Sequence, residues 1–275
     1  LRFTALDAWA EFRCFIKGHI VAGMRGAPLT REEYVDDADQ FSRKRDKMKD
    51  PTLRGDMYAL FEAYQAALSG REVALQPSPR AVSIKGLHTG CWDEMDCAMA
   101  AVHAVRDVFQ NMPIEQQVPF RKKNKLWYTR AYVDEVQDTQ HVEVALLMML
   151  CRGPRNIFLT GDTAQTVVKG SNFRFSDVRA VTHGLFGQSE DPLQRQIGKA
   201  GHLTHNYRSH TGILNLAQEV VTRMHRCFPN SVDSTAGDHG VASGPKPIIA
   251  IGEALCDAVL NDEHVVVLTR DEAVP

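Results

Sequence analysis

Residues 132–140 read "YVDEVQDTQ". Three acids, Asp134, Glu135 and Asp138, fall within five positions, directly after Leu126-Trp127-Tyr128-Thr129-Arg130-Ala131-Tyr132-Val133. That run predicts a strand over 126–133, because aromatic and β-branched side chains suit a pleated, half-buried surface. The residues after the acids predict a helix over about 139–151, with Val142, Ala145, Leu146, Met149 and Leu150 on its buried side. "GPRN" then turns the chain into a second strand, "IFLTGD", residues 157–162. Strand, helix and strand joined by a crossover of about twenty residues form a parallel unit, expected to be buried on both faces and right-handed. The predicted fold class is α/β, and ligands of such sheets bind beyond the carboxyl ends of the strands. Both predicted strands end in carboxylates: Asp134-Glu135 on one, Asp162 on the other.

Adjacent acids at a strand terminus suit phosphoryl transfer from a nucleotide. One can hold a divalent cation that neutralises phosphate oxygens, and the other can orient and activate a water. On that account Asp134 holds Mg²⁺ through water and Glu135 is the base. The competing account is an acidic helix start, with Asp138 or Thr139 as the cap; the acids alone leave both open. Two later segments favour the first. "TGDTAQ", 160–165, sets Asp162 and Gln165 at the end of the neighbouring strand, within reach of a terminal phosphate. "HLTHNYRSH", 202–210, offers Arg208 between another short strand and a helix, "TGILNLAQEVVTRM".

These three segments, in this order, resemble the superfamily 1 helicases of the UvrD/Rep type, "VDEVQD" their second motif, "TGDTAQ" their third and "NYRS" their fourth. "EFRCFIKG", "LFEAY" and "WDEMD" are similar to the helical insertion before motif two, especially in large UvrD-like proteins related to TPR and ankyrin repeat-containing proteins. The tail, "KPIIAIG" and "HVVVLTR", resembles early strands of a second RecA-like domain. The resemblance implies a helical insertion subdomain over 1–124, part of a RecA-like P-loop NTPase sheet over 125–200, and the start of a second RecA-like domain over 201–275. It also implies ATP and Mg²⁺ as cofactors and single-stranded or partly duplex nucleic acid as partner. By the same resemblance Asp134 binds Mg²⁺, Glu135 activates water, Gln137 joins the γ-phosphate network, Gln165 couples nucleotide state to the nucleic-acid groove, and Arg208 contacts the γ-phosphate.

The sequence departs from that pattern in two places. A Gly-x-x-x-x-Gly-Lys-Ser/Thr loop, needed to cradle phosphates, is missing; "IGKAG" at 197–201 lacks the hydroxyl residue after Lys199 and a glycine five residues before Gly198. In the family that loop lies upstream of the helical insertion, so the remainder of the same polypeptide is expected to supply it, and the chain is expected to be the middle of a longer protein. The third motif continues "TVVKGSNFRF". Phe173 and Phe175 around Arg174 fit either a stacking platform for single-stranded bases or two core aromatics beside a surface arginine.

Composition fits this frame. Hydrophobic residues make up 44% and charged residues 24%, which excludes a disordered chain. Thirty-two basic against 34 acidic residues, net −2, confine any nucleic-acid contact to a local groove. Six cysteines at 14, 91, 97, 151, 227 and 256, without a Cys-x-x-Cys pair, predict a reduced intracellular setting, nuclear or cytoplasmic. The longest apolar run, Val144–Cys151, falls far short of the roughly 20 residues a membrane helix needs. A zinc site from His88, Cys91, Cys97 and His103 has no matching spacing. "RKKNK" at 121–125 reads as a solvated loop. The leading expectation is a nucleic-acid helicase or translocase. The alternatives are a catalytically inert nucleotide-sensing or scaffold module of a large protein and, less favoured by "NYRS", a metal-dependent nuclease.

Overall fold

The computed structural model describes residues 3–36, 50–70, 73–75, 82–84, 91–111, 116, 123, 128–151, 153–171, 173–189, 192–229, 232–234 and 236–248. Most of "SRKRDKMKD" and "RKKNK", together with Pro77, Pro79, His88, Leu126, Trp127 and "HVVVLTR", lie outside them. The chain divides into two compact units, Leu1–Gly201 with His225–Ser234, and His202–Met224 with Thr235–Pro275.

The first unit opens with α1 (Ala5–Ala10), whose start is fixed by a reciprocal box in which Asp7 N–H donates to Thr4 Oγ1 and Thr4 N–H to the Asp7 carboxylate. The helix continues without a break as a π-helical stretch, Glu11–Lys17. Leu6 and Trp9 of α1 are 56% and 37% exposed, while Phe12, Cys14, Phe15, Ile16 and Lys17 of the stretch that follows are buried. Three more helices come next, α2 (Ile20–Arg25), α3 (Arg31–Val35) and α4 (Pro51–Leu68). Asp50 caps α4, and Pro51 sits at the first helical position, where its missing N–H costs nothing. Met57, Tyr58 and Phe61 of α4 close a core with Phe12, Ile16, Leu29 and Tyr34. A short antiparallel pair, β1 (Val73–Leu75) and β2 (Val82–Ile84), stands where no strand was anticipated. After it comes α5 (Glu94–Asn111).

The "EFRCFIKG" and "WDEMD" segments meet at a buried ion cluster. Lys17, fully buried, places Nζ 2.5 Å from Asp93 and 2.6 Å from Asp96, and Tyr64 donates its hydroxyl to Asp93 at 2.8 Å. Burial alone would raise the Asp93 carboxyl, but the Lys17 ammonium, the Asp96 N–H and Tyr64 hold it below its ordinary value.

The α/β portion consists of β3 (Ala131–Val133), α6 (His141–Leu150), β4 (Ile157–Leu159) and α7 (Phe175–Phe186). The strands are parallel, as expected, with Ala131 opposite Ile157, Tyr132 opposite Phe158 and Val133 opposite Leu159. Described pairing is shorter than the predicted strand: Tyr128–Arg130 stand outside the ladder. Ala131, Val133, Ile157 and Leu159 face a core built from Val144, Ala145 and Met148 of α6 and Val178 and Val181 of α7. Val142 and Met149, on another side of α6, pack with Met95, Met99 and Val102 of α5, which joins the helical part to the sheet. Burial on both faces does not hold: the cross-strand rings of Tyr132 and Phe158, 71% and 59% exposed, lie 6.0 Å apart on the open face.

In the second unit, β5 (His205–Asn206) pairs in parallel with β6 (His239–Gly240), and most of α8 (Thr211–Cys227) succeeds the "NYRS" segment as predicted. A Cβ on Gly212 would run into the Pro245 carbonyl oxygen, so the start of α8 can press against the Gly244–Pro245 backbone only with glycine there.

Candidate functional site

The register of β3 and β4 sets the ends of the two strands side by side. Asp134 comes directly after β3 and Thr160 directly after β4; Thr160 N–H donates to the Val133 carbonyl at 2.8 Å, and Val136 N–H to the Thr160 carbonyl at 3.0 Å. Across this junction Thr160 Oγ1 donates to Asp134 Oδ1 at 2.6 Å, and Glu135 N–H donates to the same oxygen at 3.0 Å. The Thr160 hydroxyl first, then the Glu135 N–H, lower the Asp134 carboxyl below its ordinary value. Thr160 was not singled out in the sequence. Only the register shows that the first residue after one strand faces the first after the other.

Glu135 sits at φ 53°, ψ 39°, and among the described residues it alone has a positive φ without being glycine. Such a conformation costs a non-glycine residue about 1–2 kcal/mol and collects at functional sites. A single 3₁₀ turn, Val136–Asp138, then carries the chain to α6.

The capping account of the acids does not fit this arrangement. Gln140 is the residue at the start of α6, its N–H donating to Glu143 at 2.7 Å. Asp138 instead accepts the N–H groups of Val167 and Val168 at 3.1 and 3.3 Å, and Thr139 Oγ1 donates to the Val136 carbonyl. The segment after "TGDTAQ" is thereby tied to the acidic turn. It is also tied to α1, because Lys169 pairs with Asp7 at 2.8 Å and holds that carboxyl well below the usual range.

Gln137 is 1% exposed. Its Nε2 donates to Glu135 at 2.6 Å, and its Oε1 accepts the Asp162 N–H at 3.0 Å. The Asp162 carboxylate in turn accepts Ala164 N–H and Gln165 Nε2, each at 2.9 Å. Asp134, Glu135, Gln137, Asp162 and Gln165 therefore form one group. Arg208 lies in the second unit, where Asn206 Oδ1 accepts the Arg208 and Ser209 N–H groups at 3.0 and 2.9 Å. The Gly212 N–H at the start of α8 goes to His210, and Glu219 on that helix pairs with Arg223 at 2.9 Å. The Arg208 guanidinium is exposed and meets no described partner.

The stacking platform is corrected. Phe173 and Arg174 are 3% and 6% exposed. Phe173 belongs to the sheet's core, stacked on His141 and edge-on to Phe175. Arg174 is directed to Asp233 at 3.7 Å, and the same carboxylate accepts Phe175 N–H at 3.2 Å. With Phe173 and Arg174 buried and Phe175 only partly exposed, the three do not form a platform of two open rings around a free arginine.

Among the described residues no group of three or more His, Cys, Asp and Glu side chains gathers as a metal-ligand set, and Cys14, Cys91, Cys97, Cys151 and Cys227 are free thiols. Asp134 nonetheless fits Mg²⁺. Its carboxylate is exposed, its Oδ2 accepts no described hydrogen bond, and Mg²⁺ at nucleotide sites takes one or two carboxylates and keeps waters.

Residues 31–182, more than half of the chain, match the family described as the UvrD/REP helicase N-terminal domain. The chain belongs to that family. It is 34% identical over 88% of its length to the human "TPR and ankyrin repeat-containing protein 1", of which it spans 7%. It is 31% identical over 43% of its length to an ATP-dependent helicase/nuclease subunit of Streptococcus sanguinis (strain SK36), and 29% identical over 46% to the protein of the same name from Streptococcus pyogenes serotype M5 (strain Manfredo), spanning 9% of each. No described helix is long and apolar enough to cross a membrane.

Proposed function

We propose that this chain is the middle portion of an ATP-dependent nucleic-acid helicase or translocase, with β3 and β4 as part of a RecA-like sheet. The observation that carries this is the junction at the strand ends, where Asp134 is fixed by Thr160 and Glu135 is held in a strained conformation beside it. Asp134 would hold Mg²⁺, which neutralises phosphate oxygens when bound. Glu135 would take the proton from the attacking water, Gln165 would sense the terminal phosphate, and Arg208 would stabilise charge on the γ-phosphate. The phosphate-cradling loop would come from another part of the same polypeptide, and single-stranded or partly duplex nucleic acid would be the track. A second reading, an inert nucleotide-sensing or scaffold module, draws support from the more extensive match, which is to a protein named for its repeats.

Nucleic-acid-stimulated ATPase activity of the full-length protein separates the two. Glu135→Gln keeps shape and hydrogen bonding but removes the base, and is expected to lower turnover by about 10²–10⁴-fold with nucleotide binding intact. Asp134→Ala is expected to weaken Mg²⁺-dependent binding as well. Arg208→Ala is expected to lower turnover by about 10³–10⁵-fold, the worth of an arginine that stabilises charge on the γ-phosphate in the transition state. A full-length protein that binds Mg-ATP and never turns it over supports the scaffold.

A further inference from the structure

Gln137 carries the inference. Its carboxamide is enclosed, 1% exposed, and both ends are engaged: Oε1 by the Asp162 N–H at 3.0 Å and Nε2 by Glu135 at 2.6 Å. A backbone N–H can only donate, so the oxygen of this amide must face Asp162 and the nitrogen must face Glu135. The fit is tight. A Cβ on Gly161 would run into Gln137 Oε1, so any side chain there would have to displace the Gln137 carboxamide. The Gln137 main chain is pinned too, its carbonyl accepting Ser171 Oγ at 2.7 Å.

We propose that Gln137 is a positioning residue and makes no phosphate contact. Its side chain is a strut that aims the Glu135 carboxylate and ties it through Asp162 to Gln165. The proposal rests on Glu135 being the general base. A hydrogen-bonded line Glu135–Gln137–Asp162–Gln165 then joins the base at the end of β3 to the glutamine after β4. Displacing Gln165 would be felt at Glu135 through a side chain that touches no substrate. A donor facing the carboxylate also resists collapse of Glu135 away from its left-handed backbone.

Two variants of the full-length protein test this. Gln137→Glu keeps shape and the acceptor toward Asp162 and, assayed at a pH high enough to ionise both carboxyls, turns an acceptor toward Glu135; Gln137→Met removes both bonds. In each, kcat with single-stranded DNA is expected to fall about 10–100-fold, as for a base misplaced by a fraction of an ångström, while KM for ATP moves less than about 3-fold. Hydrogen exchange in the 160–165 peptide is the second readout: the Asp162 amide is expected to exchange at least about tenfold faster in Gln137→Met and to stay protected in Gln137→Glu. A Gln137→Glu protein turning over within about 2-fold of the parent overturns the strut. So does a loss confined to KM, the mark of a ground-state phosphate contact, or unchanged Asp162 exchange in Gln137→Met. Should the parent bind Mg-ATP without turnover, the assignment of the base fails by itself, and the exchange contrast alone decides whether the strut exists. Should Gln137→Met not fold, the kcat and KM of the isosteric Gln137→Glu decide.

Discussion

Glu135 occupies a backbone conformation that alanine dislikes as much as glutamate does and that glycine adopts freely. Comparing Glu135→Ala with Glu135→Gly removes the carboxylate from both and leaves only the backbone difference. Glycine is expected to be more stable than alanine by about 1 kcal/mol, the reverse of the usual order, and thermal melts of this chain would show it. Equal melting temperatures would mean that the turn carries no strain. At this scale the sequence was legible where a residue's identity suffices. Asp134, Glu135 and Gln165 could be named from spacing, and they gather at one pair of strand ends. What Thr160 and Gln137 do was not legible, because each acts across the junction of two strands, and a chain read linearly does not show register. Phe173-Arg174-Phe175 stayed open between a stacking platform and core aromatics beside a surface arginine, because two aromatics around an arginine look the same whether they face solvent or a core. The Asp233 carboxylate that receives Arg174 lies 59 positions away.

Helices were easier to read than their inward faces. The segments around "LFEAY" and "WDEMD" are helical and the strand pair is parallel, as expected, yet Leu6 and Trp9, apolar residues of α1, are exposed just before a π-helical stretch that no 3.6-residue template anticipates. Its last residue, Lys17, joins that stretch to the start of α5 through Asp93 and Asp96. Lys17→Met keeps most of the volume but strands two carboxylates in a poorly hydrated place, so a loss of about 3–5 kcal/mol is expected at neutral pH. Asp93 is held below its ordinary value, so its contribution is fully present above the unfolded carboxyl value near about 3.9 and is lost as pH falls through the lower folded value. In the variant that carboxyl rises, and acidification should then cost less than in the parent. Urea unfolding at neutral pH and through the range below about pH 4 measures both effects, and a variant as acid-sensitive as the parent would mean that the ion cluster does not set the acid response.

Across the molecule the first unit's cores meet through α6, which gives Val142 and Met149 to α5 and Val144, Ala145 and Met148 to the sheet. That arrangement covers one side of β3 and β4. The other side carries the Tyr132–Phe158 ring pair, and each strand keeps an outer edge with no described ladder partner. A bare aromatic face beside open backbone edges is the combination that recruits further chains into cross-strand stacks. Purified by itself, this chain is expected to associate with rising concentration, and Phe158→Lys, which puts a charge on the open face without touching either core, should suppress that association in sedimentation runs while leaving the melting temperature within a few degrees. Shelf life and yield of the isolated chain would then be governed by two rings that stand just upstream of the acids and take no part in their chemistry.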